Sequence, residues 1–249
     1  MSKQKNETLD LIHHLQSIRE FDTKEIFSED LDAILHAAVK AANASARQSY
    51  SIIIVRNKDI LKKYFYGSNK ALIICVDYNR IFKCAEYLNH PYDYYNMLGF
   101  ITGSTDAILV AQTAVIAAKS LKIDSLFTNS LHRAPFEEIQ QEFQLPEKHC
   151  FPLISICLGY RKSEPIFNKG RWVGPGIIHY DHYHKMTEQE TEDLIAAYDD
   201  PEQHLGLISD HEFSHYLDWF YLKWSQNRYG AEKGKSMTEL LRKLGFIQD

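Results

Sequence analysis

The sequence predicts an α+β fold with a helical C-terminal extension, and three observations carry this prediction. Runs of β-branched and apolar residues alternate with segments of helical periodicity. A long apolar segment, STDAILVAQTAVIAAKSLKI (residues 104–123), is typical of a central buried helix. After residue 172 the composition shifts to His, Tyr and acidic residues. We therefore predict a core over residues 1–172 and an extension over residues 173–249.

The first elements follow from capping and periodicity. SEDLDAILHAAVKAA (28–42) begins with Ser28 as a cap and has acidic residues in the first turn, which predicts a helix with one buried face. SIIIV (51–55) and ALIICVD (71–77) are predicted strands, and Asn57 is the predicted cap of a short helix between them. Strands and helices therefore alternate in this part of the chain.

The middle of the chain continues the alternation. Residues 78–100 are rich in aromatic side chains and contain Pro91, which predicts a helix followed by an irregular covering segment. Ser104 is the predicted cap of the long apolar helix, and Pro135 is placed in the first turn of another helix. FPLISICLGY (151–160) is the third predicted strand.

The extension is expected to be helical, because two S/T-x-x-E patterns typical of capping boxes occur in it. They pair Thr187 with Glu190 and Ser236 with Glu239.

Composition narrows the class of protein. The chain has 249 residues, of which 45% are hydrophobic and 24% charged, as in an ordinary globular protein. The formal net charge of -5 argues against a nucleic-acid partner. No leader-like apolar stretch occurs near the start and no run of eighteen apolar residues occurs anywhere, so we expect a cytoplasmic protein with no membrane partner. The four cysteines form no C-x-x-C pair and are predicted to be reduced core residues: Cys75, Cys84, Cys150 and Cys157.

HEFSH (211–215) fits the zinc-protease pattern H-E-x-x-H, with His211 and His215 as ligands and Glu212 as general base. A third ligand in the metzincin arrangement is excluded, because Asp218 and Tyr221 occupy the required Gly and His positions. A downstream glutamate, Glu232 or Glu239, stays open as the third ligand.

The alternative interpretation of HEFSH is an exposed face of a tail helix. In that helix Leu217, Phe220 and Trp224 would pack inward at helical spacing. A second histidine cluster, HYDHYHK (179–185), could bring His182, His184 and Asp181 to a metal, but side chains before a helix more often bond loop carbonyls. Neither cluster therefore establishes a function.

Three basic or polar segments lie at the edges of the predicted core: SIRE, ASARQSYSIIIV and NKGRW. A phosphate needs charge-assisted donors from several directions, and arginine adds planar bidentate geometry. The candidate donors are Ser17, Arg19, Ser45, Arg47, Gln48, Lys169 and Arg171.

In their order and separation these segments resemble the FMN-dependent nitroreductase family. SIREF, SARQSYSIIIV, DAILVAQTAVIAAKSLKI, ISICLGY and KGR occupy the places of the family's motifs over residues 10–172, and Gly245 and Phe246 fit its usual ending. The resemblance implies a mixed, mainly antiparallel sheet flanked by helices, a homodimer, and FMN at the subunit interface.

The resemblance also implies roles for individual residues. Ser17, Ile18 and Arg19 would contact the flavin phosphate and ribityl chain, Lys169 and Arg171 would clamp the phosphate, and Gln48 would face the ring, with Ser45 and Arg47 beside it. Thr128 and Asn129 lie where the family places donors near the reactive nitrogen. We further expect Tyr92, Tyr94 and Tyr95 to cover the open face of the flavin.

Two departures from the family pattern leave one register open. Leu15 and Ala46 stand where the family usually has an arginine and an asparagine. A shift of the alignment would give Gln48 the role of the asparagine, and Arg47 could supply the charge that is missing at Leu15.

The implied activity is transfer of a hydride from NAD(P)H through bound FMN to a nitroaromatic, a quinone or another flavin. The cofactor carries this chemistry, so no catalytic side chain is expected. The alternatives are a protein that stores or senses FMN without turnover and a zinc hydrolase that uses HEFSH.

Overall fold

The fold is described from a computed structural model over residues 6–92, 96–164, 169–206, 212–226 and 230–247. Contacts divide the chain into two compact units, residues 1–164 with 238–249, and residues 165–237. The predicted core and extension, with their boundary after residue 172, remain a prediction.

The larger unit contains the sheet. Its elements in chain order are α1 (Glu7–His13), α2 (Ser28–Ala38), β1 (Tyr50–Val55), α3 (Lys58–Tyr64), β2 (Lys70–Asp77), α4 (Asn79–Tyr87), α5 (Met97–Ser120), β3 (Asp124–Thr128), α6 (Phe136–Glu142) and β4 (Cys150–Gly159). The smaller unit contains α7 (Glu188–Asp199) and α8 (Tyr216–Trp219), which continues as a π-helix over Phe220–Ser225. The last helix, α9 (Ala231–Lys243), begins in the smaller unit and ends in the larger one.

The four strands lie in the order β1-β2-β4-β3, and all three neighbouring pairs are antiparallel. An isolated parallel bridge between Ser17 and Ser125 adds the N-terminal segment beside β3. The α+β fold with a mixed, mainly antiparallel sheet is therefore confirmed.

Strand β2 is buried on both faces, which explains its uninterrupted apolar sequence. Leu72 and Ile74 point into a core formed with α2 and α5, whereas Ile73 and Cys75 point into a second core formed with α3 and α6. Successive side chains alternate across a sheet, so a strand covered by helices on both sides needs apolar residues at every position.

Helix α5 is the central helix of the first core. Ala107, Ala111, Ala114 and Ala118 belong to this core with α2 and the sheet. Among the described residues, α5 is the one helix long and apolar enough to cross a membrane by length and composition. The buried alanines of α5 pack in the first core, and this packing explains why the helix is so apolar.

The predicted start of this helix at Ser104 is wrong, because the helix begins at Met97 and Asn96 caps it by accepting a hydrogen bond from the Gly99 amide. Two contacts between distant segments fix the first turns of this helix. The hydroxyl of Tyr78 donates to the Gly99 carbonyl at 2.7 Å. A Cβ on Gly103 would lie 2.7 Å from a Val76 methyl group. The start of α5 therefore depends on contacts with residues of β2 and the segment that follows it.

Three other local predictions also need correction. Ser28 is the first residue of α2 and Phe27 is its cap, whereas Ser236 lies inside α9. Cys84 is exposed on α4, while the other three free cysteines are buried. Strand β3 was not predicted, because a five-residue edge strand with three polar residues leaves little pattern. The Asn57 cap and the Thr187 and Glu190 capping box are confirmed.

Candidate functional site

The first predicted segment lies along the edge strand β3. The Ile18 amide donates to the Ser125 carbonyl at 3.0 Å, and the Ile18 side chain is buried in the larger unit. Ser17 and Arg19, on either side of it, are exposed. A buried apolar anchor between two exposed donors fixes the segment and leaves both polar side chains accessible.

A buried ion pair supports this segment. Arg161, just after β4, donates from Nε and Nη2 to the two oxygens of Asp124 at 2.9 and 2.6 Å, and from Nη1 to Gln16 at 3.4 Å. Burial raises the pKa of the Asp124 carboxyl, but the hydrogen bonds and charge of Arg161 outweigh burial and hold it below its ordinary value. Sequence reasoning missed this pair, because its two members lie 37 positions apart.

Replacing Asp124 with Asn should lower the free energy of unfolding by about 1–3 kcal/mol at pH 7. A carboxyl with a lowered pKa stabilises the fold above its ordinary pKa of 3.8, and this contribution is lost as the pH falls through the folded-state pKa. The difference between wild type and Asp124→Asn in urea unfolding should therefore shrink between pH 7 and pH 3. Asp59→Asn, which changes an exposed acid on α3, is the control. An equal difference at both pH values would contradict the assignment.

The second predicted segment is a loop whose backbone is unusual. Ser45, Ala46 and Gln48 have φ of 53°, 56° and 52°, in the left-handed region that residues other than glycine seldom adopt. Arg47, between them, has the ordinary right-handed value of -77°. Such conformations persist only where surrounding contacts hold them.

Two charged side chains hold this loop, and sequence reasoning missed both. The buried carboxylate of Asp106 on α5 accepts hydrogen bonds from the amides of Ala44 at 2.8 Å and Ser49 at 3.2 Å. Arg80 on α4 donates from Nη2 to the carbonyls of Arg47 at 3.0 Å and Gln48 at 2.6 Å. A single acid in an otherwise apolar helix was the signal that could have identified Asp106.

The side chains of the loop have local partners. The Gln48 amide nitrogen donates to the Tyr50 hydroxyl at 3.1 Å, Arg47 Nε lies 3.5 Å from the Ala44 carbonyl, and Ser45 is exposed. Gln48 and Arg47 are half-buried. The choice between the two family registers for Gln48 stays open.

Within one chain the two segments lie far apart. Ser17 pairs with Ser125 of β3, which lies opposite Leu158 of β4. Tyr50, the first residue of β1, lies opposite Val76 of β2, which in turn lies opposite Phe151 of β4. Seven residue steps along β4 and the four strand spacings from β1 to the Ser17 segment beside β3 place the two segments roughly 30 Å apart. They therefore lie at opposite edges and opposite ends of the sheet.

Thr128 and Asn129 lie at the end of β3. The Thr128 hydroxyl is buried and accepts from the Ser130 amide at 3.1 Å, whereas Asn129 is exposed and its carbonyl accepts from His132. The turn that follows the strand is thus stabilised from within.

Lys169 and Arg171 belong to the smaller unit and are both exposed. The Lys169 ammonium donates to the Gly206 carbonyl, and Arg171 Nη1 donates to the Gly170 carbonyl at 2.8 Å. The Gly170 amide donates to the His204 carbonyl at 3.1 Å, which ties this segment to the turn after α7.

Of the three predicted covering tyrosines, Tyr94 and Tyr95 lie outside the described residues. Tyr92 packs edge-on against Phe82 of α4, with ring centroids 5.4 Å apart, and Phe82 stacks on His149 at 4.4 Å. Tyr92 therefore belongs to an aromatic cluster with Phe82, which lies on the same helix as Arg80.

HEFSH does not form a helix over its described residues. Glu212 to His215 form a turn and bends, and α8 begins only at Tyr216, so the tail-helix interpretation of the motif is wrong. His211 lies outside the described residues. His215 Nδ1 lies 2.7 Å from an oxygen of Asp199, and this hydrogen bond raises the pKa of His215. His215 therefore pairs with a carboxylate just before the helix begins.

The inward residues of this region differ partly from the prediction. Leu217, Phe220 and Trp224 are half-buried, whereas Trp219 is buried. In the second histidine cluster His184 pairs with Glu190 at 2.9 Å. Within the part of the chain that the structure describes, no three His, Cys, Asp or Glu side chains converge as metal ligands.

Comparison with known proteins places this geometry in a family. The NADPH-dependent oxidoreductase of Staphylococcus epidermidis is 26% identical over 250 residues, which cover 95% of each chain. The structure of B. megaterium NfrA2 covers 98% of this chain and all of its own, with a TM-score of 0.83 and 22% identity. The structure of the NADPH:FMN oxidoreductase from Vibrio harveyi complexed with NAD+ covers 98% of this chain and all of its own, with a TM-score of 0.76 and 20% identity. The family model described as the Nitroreductase family matches residues 15–160, which is more than half of the chain, and the chain therefore belongs to the nitroreductase family.

Proposed function

We propose that this nitroreductase-family oxidoreductase binds one FMN per subunit and transfers electrons from NAD(P)H to a small electrophilic acceptor. The observation that carries the proposal is the segment Ser17 to Arg19. Its buried Ile18 fixes the backbone, and the Arg19 guanidinium is exposed and makes no hydrogen bond or ion pair within the described residues. Such a group suits a phosphate, which needs charge-assisted donors.

The donor set of the chain fits FMN. Arg19 and Ser17 would hold the phosphate and ribityl end together with Lys169 and Arg171, and Gln48 would face the ring. The remaining contacts would come from Ile18, Ser45, Arg47, Thr128 and Asn129. When bound, FMN supplies the redox chemistry, accepting two electrons from the nicotinamide and giving them to the acceptor. The residues of the chain bind and orient the cofactor and shield its ring from water.

A homodimer would bring the two segments of the site together. The segment at Ser17 and the loop at Gln48 lie farther apart in one chain than a single FMN extends, so the loop of a second subunit would complete each site. The outer face of α5 supports this arrangement, because Leu98, Ile101 and Ile108 are more than half exposed. Adjacent exposed apolar residues on one helix are typical of a subunit interface.

The proposed electron donor is a nicotinamide dinucleotide, and the proposed acceptors are small electrophiles. The S. epidermidis relative is an NADPH-dependent oxidoreductase, which supports a nicotinamide dinucleotide as the electron donor. Nitroaromatics, quinones and free flavins are the acceptors we propose, with Tyr92, Tyr94 and Tyr95 covering the open face of the ring. Four free cysteines suit the reducing cytoplasm, where we place the protein.

The test is an absorbance spectrum of the purified protein before and after denaturation. We expect a flavin spectrum that corresponds to about one flavin per chain. The flavin released by denaturation should be FMN. Addition of NADPH or NADH without oxygen should then bleach the flavin absorbance, and an electron acceptor should restore it. With the acceptor present, the protein should oxidise the nicotinamide at a steady rate. A protein that holds FMN without such oxidation would be a storage protein. A colourless protein that neither binds added FMN nor quenches its fluorescence would overturn the proposal.

A further inference from the structure

We propose that Asp106 is a positioning residue for the flavin, because its buried carboxylate, with Arg80, holds residues 44–48 in the conformation that presents Gln48. This inference rests on the proposed function. It assigns a role to two charged residues that lie outside the predicted site.

The placement of Asp106 needs a reason. The residue is 1% exposed in the middle of an apolar helix, where an unpaired carboxylate would be strongly destabilising. Within the described residues its hydrogen bonds go only to the amides of Ala44 and Ser49. These amides stand at the two ends of the loop, so one carboxylate fixes both ends against α5.

The loop conformation explains why a carboxylate is suited to this place. Ala46, Arg47 and Gln48 alternate between left-handed and right-handed backbone, and such alternation turns neighbouring amides toward one side, where an acceptor can bind them. The Arg47 amide donates to the Ala44 carbonyl and the Gln48 amide to Asn43 Oδ1, so the Ser49 amide is the one that this turn directs to the Asp106 carboxylate. Because Ser45, Ala46 and Gln48 are strained without glycine, the loop should relax when the charge is removed.

Arg80 binds carbonyl groups of the same loop, whereas Asp106 binds its amides. Its guanidinium donates to the carbonyls of Arg47 and Gln48, which Asp106 cannot bind. Arg80 lies on α4, the helix whose Phe82 packs against Tyr92. The loop that would face the flavin is therefore connected to the segment that would cover the acceptor.

The first experiment uses Asp106→Asn, which keeps the size of the side chain but removes its charge. In the cofactor-free protein, hydrogen exchange of the Ala44 and Ser49 amides should become at least about tenfold faster. Binding of FMN, followed by quenching of its fluorescence, should weaken by about tenfold to hundredfold. Ser104→Ala is the matched control, because this hydroxyl lies on the same helix, is buried and makes no hydrogen bond.

Two further variants separate positioning from a merely structural role. Arg80→Gln changes an exposed residue, so the protein should fold, and it should weaken FMN binding and alter the visible circular dichroism of the bound flavin. In Asp106→Asn, the added change Ala46→Gly should recover part of the FMN affinity, since glycine accepts a positive φ without strain. Loss of packing at Asp106 alone would not be repaired by a glycine in the loop.

The outcomes distinguish two failures. Wild-type protein that binds FMN, with Asp106→Asn and Arg80→Gln variants that bind it equally well and show the same flavin spectrum, would overturn this inference and leave the proposed function standing. Wild-type protein that does not bind FMN would overturn both. If Asp106→Asn does not fold, Arg80→Gln decides the question by itself.

Discussion

Replacement of both Arg19 and Arg171 by alanine is expected to weaken FMN binding by at least about a hundredfold and to yield colourless protein after purification. Each hydrogen bond to a charged group contributes about 1.5–3 kcal/mol, and two such losses correspond to a factor of this size. FMN binding is measured by titrating the cofactor-free variant with FMN and recording the quenching of FMN fluorescence. The ratio of flavin to protein absorbance in the purified variant is a second measurement.

The control for this double variant is Arg56→Ala, which removes an exposed arginine just after β1. It should retain wild-type flavin content. The double variant itself should unfold at the wild-type temperature without cofactor, because Arg19 and Arg171 are exposed. Full retention of flavin by the double variant would remove both residues from the proposed site.

Phe246→Ala is expected to lower the free energy of unfolding by about 3–5 kcal/mol. Phe246 lies three residues after α9 and is fully buried, with its ring 5.0 Å from that of Phe100 and 6.4 Å from that of Tyr78. Its removal would leave a cavity beside the start of α5 and the end of β2, which the surrounding backbone cannot fill. Urea unfolding monitored by circular dichroism gives the difference.

Tyr87→Ala is the matched control, because this aromatic side chain on α4 is 86% exposed. It should change the free energy of unfolding by no more than about 0.5 kcal/mol. Equal effects of the two substitutions would mean that the C-terminal residues do not complete the core in solution.

Local and periodic features of the fold were predictable from the sequence. Asn57 caps α3 through two backbone amides, and Thr187 forms a capping box with Glu190. Both depend on residues within one turn of helix, so the pattern is contained in a few letters. The alternating cores on either side of β2 follow in the same way from its apolar run.

The candidate site was predictable only in part. The exposed donors Ser17 and Arg19 lie on an anchored segment, but the distance from there to Gln48 depends on strand order and register. The irregular stretch at Glu212 also required the tertiary structure, since H-E-x-x-H matches a helix pattern while its described residues form turns.

By itself, the sequence determined the alternation of strands and helices, the caps at Asn57 and Thr187 and membership in the nitroreductase family, because these depend on neighbouring residues and on motif order. Only the tertiary structure decided the start of α5 at Met97, the partners of Asp106 and the pairing of Asp124 with Arg161. Each of these arises from contacts between segments distant in the chain. A buried charge or a glycine packed against another strand is explained by its partner, and the partner is known only once the chain has folded.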